Sequence, residues 1–299
     1  ARRPAGATTP NQWSLNDTPD TVKENIFQDS LTFSWKTSGK PRFMEGARYF
    51  LQYAGFPDTL VYDLANGTND YNDDYMSRGE WVNYLLGAPS GPLKDRQVNG
   101  LQIPVDLALA FHTDAGVTQD DSVIGTLAIY STQTDEGIFP SGMSRMASRD
   151  LSDLVQSQIV QDIRLTFDDD WTRRGLWDRQ YSEAWRPNVP SMLLELLSHQ
   201  NLGDMRYGLD PKFRFKVARA IYKGIARFLS QGEGLPVVFH PLPPDHFGII
   251  PLEDGKVRLQ WQPVSDPLEP TAVPTYYKVY RDINGVKLSC QLPLVTVVS

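Results

Sequence analysis

The chain has 299 residues, of which 40% are hydrophobic and 11% aromatic, so it can bury a substantial core and wholesale disorder is excluded. Acidic residues outnumber basic ones by 36 to 29, giving a formal net charge of −7. This balance argues against a nucleic-acid-binding protein, which needs a basic surplus to neutralise phosphates. No apolar run reaches the roughly 18–20 residues of a membrane span. The single cysteine, Cys290, excludes an internal disulfide framework.

The first part of the chain shows few regular patterns. Residues 1–40 are polar and follow no period, which predicts an irregular lead-in. Apolar residues at helical spacing predict a helix over 43–54. Gly55 and Pro57 follow where a helix of this extent should end. Residues 59–62 predict a short strand, and a second helix is expected through 81–85.

The middle of the chain is the most regular part. Three near-continuous apolar runs are typical of strands buried on both faces, at residues 105–111, 124–130 and 192–197. Two amphipathic patterns predict long helices between and after them, at residues 148–167 and 213–229. Alternating strands and helices predict an α/β domain over residues 41–231, with a mainly parallel sheet flanked by helices.

The composition changes after this domain. Residues 232–248 are rich in proline and glycine and predict a linker. Residues 249–299 contain alternating apolar positions, including Val257, Leu259 and Trp261, and predict a small β-module. The module is shorter than the roughly 100 residues of a complete β-sandwich, so we expect a partial sandwich.

Two polar residues in the predicted strands are candidates for chemistry. Glu195 interrupts an apolar strand, and burying an ionised carboxylate is costly, so we expect it at the sheet's C-terminal edge, facing a cleft, a metal or a positive partner. His112 directly follows the run at 105–111, and a neutral imidazole there could ligate zinc. A salt-bridged buried glutamate and a hydrogen-bonded core histidine are the structural alternatives.

The same segments carry a family resemblance. The stretch PVDLALAFHTDA at 104–115 resembles the strand that ends in a ligand histidine in the zinc N-acetylmuramoyl-L-alanine amidases of the amidase-3 type. The stretch PSMLLELLSHQN at 190–201 resembles that family's strand with the catalytic glutamate. The resemblance covers about residues 104–230 and includes the helices at 148–167 and 213–229 in the family's order.

The resemblance implies an amidase-3-like fold and a Zn²⁺-dependent hydrolase of the bond between N-acetylmuramic acid and L-alanine in peptidoglycan or a related glycopeptide. It implies Glu195 as the catalytic residue, His112 as a metal ligand, and an extracytoplasmic or secreted location. His199, Asp114 and Arg174 lie in or near the resembling segments and are candidate substrate contacts. Tyr130 is a further candidate, as part of an aromatic wall for a glycan.

The expected zinc site is incomplete in this sequence. The family has two further ligands, a histidine and a glutamate, but no histidine precedes His112 here. Glu45 is a fallback ligand, but an ordinary surface carboxylate on a helix explains it better. Because catalytic zinc sites normally have three protein ligands, we expect an upstream segment of the same protein to complete the site.

A narrower resemblance concerns the Bacteroidetes xanthan lyase-like group. Segments at 46–49, 69–79 and 196–201 resemble that group, in which a golvesin C-terminal-like domain interrupts the amidase fold and a fibronectin type III-like module follows. Two other functions stay open. The chain could be a non-catalytic cell-wall or glycan-binding protein with a degenerate amidase fold, or a polysaccharide (xanthan) lyase, for which no suitable arrangement of His, Tyr and Arg is evident.

Overall fold

The computed structural model describes residues 39–65, 67–87, 99–280 and 294–298. The chain divides into two compact units, which meet in sequence between Ile225 and Ala226. The predicted lead-in at 1–40, apart from its last two residues, and Cys290 lie outside the described residues. No helix in the described ranges is long and apolar enough to cross a membrane.

The first unit contains a four-stranded mixed sheet with the strand order β1-β4-β2-β3. Its strands are β1 (Ala108–Asp114), β2 (Thr126–Tyr130), β3 (Arg173–Asp178) and β4 (Ser191–Ser198). β1 runs parallel to β4 and β2 runs parallel to β3, whereas the central pair β2 and β4 is antiparallel. The sheet is therefore rich in parallel pairs, and the α/β class expected from the sequence is confirmed.

Helices precede, connect and follow these strands. They are α1 (Ala47–Tyr53), α2 (Asp70–Leu86), α3 (Met146–Thr166), α4 (Ser182–Trp185), α5 (Leu202–Gly208) and α6 (Pro211–Glu233). One strand prediction is wrong, because residues 59–62 belong to a π-helical turn, Asp58–Tyr62. The turn closes when the Asp63 N–H donates to the Asp58 carbonyl, and a four-residue apolar segment is too short for periodicity to distinguish it from a strand.

The two faces of the sheet differ. Alternation along the strands places Leu127, Ile129 and Leu193 on one face, where they pack with Ala184 of the short helix α4. The opposite face packs against α3, whose residues Leu151, Val155, Ile159 and Ile163 are fully buried. α6 packs closely on α3, because a Cβ at Gly224 would lie only 2.6 Å from the Val155 Cα.

β1 differs from its prediction in exposure. A strand buried on both faces is expected from the apolar run, but β1 is only partly buried and Phe111 is 53% exposed. β1 lies at the edge of the described sheet and pairs only with β4 within it. An edge strand is shielded on fewer sides than a central one, so the same apolar composition gives less burial.

The second unit contains two antiparallel pairs. β5 (Asp245–Pro251) pairs with β6 (Val257–Gln262), and β7 (Tyr277–Tyr280) pairs with β8 (Leu294–Val298). β5 begins inside the segment predicted as linker, 232–248. Antiparallel pairs of this kind fit a β-module, and its identity as a partial fibronectin type III-like sandwich stays a prediction.

Candidate active site

Glu195 and His112 lie side by side on neighbouring strands. In the parallel β1–β4 register, His112 is directly opposite Glu195, and Leu127 of β2 is opposite Glu195 on its other side. Glu195 therefore occupies the middle of a central strand, and the expected position at the sheet's C-terminal edge is wrong. The side chain is accommodated because it lies on the face that α4 covers only in part, so it is half-buried rather than enclosed in the core.

A third residue, Glu183 of α4, completes a compact polar cluster. Its Oε1 is 3.0 Å from His112 Nε2, and its side chain is only 13% exposed. We define the reactive cluster as His112, Glu183 and Glu195. The sequence analysis missed Glu183, because α4 has only four residues and no spacing links it to His112; the contact arises where α4 crosses the sheet.

Two members of the reactive cluster, Glu195 and His112, have pKa values above their ordinary ones. Burial raises the pKa of the Glu195 carboxyl, and the nearby carboxylates of Asp114 and Glu183 add to this effect against the opposing charges of His112 and Arg174. Glu195 Oε2 is buried and has no hydrogen-bond partner among the described residues. The hydrogen bond to Glu183 raises the pKa of the His112 imidazole, and burial only partly counteracts it.

An ion pair borders the reactive cluster. Arg174 Nη1 donates to Asp114 Oδ2 at 2.6 Å, and the Arg174 guanidinium lies 5.7 Å from the centre of the Trp177 ring. Burial acts to raise the pKa of Asp114, but the hydrogen bonds from Arg174 and from backbone N–H groups outweigh it and hold that pKa below its ordinary value. Two of the candidate substrate contacts, Asp114 and Arg174, thus pair with each other, and both are close enough to Glu195 to influence its pKa.

His199 lies beside the end of β1. Its backbone N–H donates to the Asp114 carbonyl at 2.9 Å, and its Nδ1 is 3.1 Å from Thr113 Oγ1. The following turn is anchored by Asp204, which accepts hydrogen bonds from the backbone N–H groups of Ser198 and Ile124. These bonds fix the rim of the site next to the exposed His199 side chain.

Two sequence candidates lie away from the reactive cluster. Tyr130 ends β2, and since β2 is antiparallel to β4, that end is near the start of β4 rather than near Glu195; its strand partner is Asp178. Glu45 is exposed where a 3₁₀ turn precedes α1.

The acidic residues at the start of α2 pair with cations. Arg48 contacts Asp70 and Asp73, and Arg78 contacts Asp74.

The described residues do not by themselves fit a catalytic zinc ion. No group of three or more His, Cys, Asp or Glu side chains within the described ranges is arranged to hold a metal. The reactive cluster offers one imidazole, and its Nε2 is hydrogen-bonded to Glu183. A catalytic zinc site normally has three protein ligands, so further ligands would have to come from residues outside the described part of the chain.

Comparisons with known proteins agree with the resemblance seen in the sequence. Residues 73–227, about half of the chain, match the family model described as N-acetylmuramoyl-L-alanine amidase. This range contains the reactive cluster and the Asp114–Arg174 pair. None of the curated proteins matches the sequence significantly.

Several solved amidase structures are similar to parts of the chain. The CwlD amidase from Clostridioides difficile, solved with the GerS lipoprotein, is 20% identical over 62% of this chain and 81% of that one, with a TM-score of 0.38. An N-acetylmuramoyl-L-alanine amidase from Clostridium difficile 630 is 18% identical, and AmiC2 of Nostoc punctiforme is 20% identical. For each of these two, the match covers 42% of this chain and 59% of the other, with a TM-score of 0.33.

Proposed function

This chain belongs to the N-acetylmuramoyl-L-alanine amidase family, and on that premise we propose that it hydrolyses the amide bond between N-acetylmuramic acid and L-alanine in peptidoglycan or a related glycopeptide. The observation that carries the proposal is Glu195, a partly exposed side chain with one buried, unpartnered oxygen, next to His112 in the strand register. A partly exposed carboxylate that hydrogen bonds do not occupy is suited to accept a proton from an attacking water.

The raised pKa of Glu195 supports a role as general base. A carboxylate whose pKa lies nearer the working pH takes up a proton from water more readily than an ordinary one. The same carboxyl, once protonated, can return that proton to the nitrogen of the leaving L-alanine amine. Water thus adds to the carbonyl carbon, the C–N bond breaks, and Glu195 ends the cycle ionised as it began.

We also propose that the hydrolysis depends on zinc. His112 would be one ligand, and the remaining ligands would come from outside the described residues, such as the upstream segment expected from the family resemblance. We also propose that the protein acts outside the cytoplasm, because its substrate would be the cell wall. On the sequence resemblance, we further propose that the chain belongs to the xanthan lyase-like group and that its second unit is a fibronectin type III-like module.

The decisive experiment incubates the chain, with and without added Zn²⁺, with a muramoyl peptide and measures the released L-alanine amine by mass spectrometry. We expect Glu195→Gln to abolish release while circular dichroism shows an unchanged fold. Glu253→Gln, which replaces an exposed carboxylate in the second unit, is the matched control and should retain activity. Full activity of Glu195→Gln would contradict the mechanism.

The remaining outcomes separate the alternatives. A wild-type chain that sediments with peptidoglycan but releases no amine, even with Zn²⁺ and the upstream segment supplied, would favour the non-catalytic glycan-binding function. Products that absorb as unsaturated uronates would favour the lyase. Elemental analysis of the purified protein beside His112→Ala would test zinc binding independently of activity, because the loss of bound zinc in the variant would place His112 in a metal site.

A further inference from the structure

The short helix α4 is held rigidly although it could not persist alone. Four residues make barely one turn, far below the length at which an isolated helix is stable in water. Ala184 is fully buried in the apolar cluster on the site face, and its carbonyl accepts a hydrogen bond from Ser191 Oγ at 2.8 Å. Arg145, also fully buried, donates to the Trp185 carbonyl at 3.1 Å. Tertiary contacts at Ala184 and Trp185 therefore fix the residue that precedes them, Glu183.

The Glu183 carboxylate contacts a different group through each oxygen. Oε1 lies 3.0 Å from His112 Nε2, and Oε2 lies 3.7 Å from the Arg78 guanidinium. Arg78 is itself anchored by a 2.7 Å hydrogen bond to Asp74 on the same helix, α2. The Arg78 guanidinium thus faces one oxygen and His112 the other, and a carboxylate can only accept a hydrogen bond.

We propose that Glu183 is a positioning residue that places the proton of His112 on Nε2 and leaves Nδ1 as the nitrogen with the free lone pair. An acceptor-only carboxylate at Nε2 requires that nitrogen to be the donor. His112 Nδ1 makes no hydrogen bond to any residue in the described ranges. In a neutral imidazole the partner of one nitrogen decides which nitrogen remains available for chemistry. The consequence for amide hydrolysis rests on the proposed function, whereas the tautomer does not.

The tautomer can be measured directly on the full chain. The sequence contains only four histidines, so selective ¹⁵N labelling gives few imidazole signals, and His112→Asn identifies the one in question. At about pH 9.5, well above the ordinary imidazole pKa, we expect the wild-type His112 signals to be those of the Nε2–H tautomer. A wild-type imidazole that is mainly the Nδ1–H tautomer would overturn the proposal.

Three variants test whether Glu183 causes the tautomer. Glu183→Gln keeps the size of the side chain. The Arg78 guanidinium favours the amide oxygen on its own side, so the amide NH₂ faces Nε2 and donates to it, and we expect the population to shift toward Nδ1–H. Glu183→Ala should give a mixture, and Glu183→Asp, which keeps the carboxylate, should restore part of the wild-type signal. Glu253→Gln is again the unaffected control. An unchanged His112 spectrum in Glu183→Gln would refute the proposal; this near-isosteric variant decides the matter if Glu183→Ala fails to fold.

Activity gives a second, separable result. If the chain is an amidase, Glu183→Gln should lower kcat by about tenfold or more while KM stays within about twofold, because the substrate-contacting residues are unchanged. A wild-type chain without amidase activity would refute the proposed function but leave the tautomer result valid. A wild-type kcat in Glu183→Gln together with a shifted tautomer would show that Glu183 positions His112 without serving the reaction.

Discussion

Removing the ammonium group of Lys223 should strongly destabilise the first unit. Lys223 Nζ of α6 lies 2.9 Å from Asp162 Oδ1 and 2.7 Å from Oδ2 of α3, and the two side chains are 1% and 2% exposed. At about 2.8 Å and an effective dielectric constant of about 20, their gross attraction is about 6 kcal/mol. Desolvation offsets much of this gain, but Lys223→Met leaves the Asp162 charge buried, which typically costs about 3–5 kcal/mol.

Urea denaturation followed by tryptophan fluorescence measures this loss, since Trp171 is fully buried in the same unit. With a slope of about 3 kcal/mol per molar urea, Lys223→Met should lower the midpoint by about 1–1.7 M. Lys212→Met, which changes an exposed lysine of the same helix, should shift the free energy of unfolding by no more than about 0.5 kcal/mol.

The double variant Asp162→Leu/Lys223→Met provides the critical comparison. Replacing a buried ion pair with apolar side chains is often neutral, so the double variant should be more stable than either single variant. Two results would refute this account. A cost below about 1 kcal/mol for Lys223→Met would mean that Asp162 reaches water, and strictly additive single effects would mean that the two groups do not interact.

Three further predictions concern packing, pH and substrate binding. Gly224→Ala should destabilise the first unit by about 1–3 kcal/mol in thermal unfolding, because its Cβ would lie 2.6 Å from the Val155 Cα. Gly232→Ala is the control: its Cβ would enter open space, so the same measurement should show a neutral or slightly stabilising effect. Because the pKa of Glu195 is raised in the folded state, the stability that this group contributes is present below the ordinary carboxyl pKa and is lost as pH rises through the folded-state pKa. Glu195→Gln should therefore become more stable relative to wild type between pH 5 and pH 8, as measured by urea midpoints with a chelator present. A stability difference that stays constant over this range would contradict the burial of this charge. Trp177 is 42% exposed and lies on the same sheet face as Glu195. If the indole stacks on a sugar ring, Trp177→Ala should raise KM for a muramoyl peptide about 2- to 12-fold with kcat unchanged. Trp177→Phe, which keeps an aromatic ring, should have a KM close to that of wild type. An unaltered KM in Trp177→Ala would exclude that contact.

The sequence determined the elements that carry His112 and Glu195. An apolar run that leads into His112 and another interrupted by Glu195 predicted two strands, and the structure has both, as β1 and β4. These features are local, because the period of side-chain exposure follows from the backbone geometry of a few consecutive residues. The same local signal failed at residues 59–62, where four residues do not span enough periods to separate a strand from a helical turn.

Only the tertiary structure decided which residues meet. The sequence contains no sign that β2 runs antiparallel to β4, which sends Tyr130 to the end of the sheet away from Glu195. It also contains no sign that Glu183 contacts His112. The two residues are 71 positions apart in the chain, and their contact depends on where a four-residue helix crosses the sheet. Strand pairing and helix placement are set by burial of surfaces that are distant in the chain, and no local period records them. The sequence thus supplied the chemical groups, and long-range packing placed Glu183 within hydrogen-bonding distance of His112.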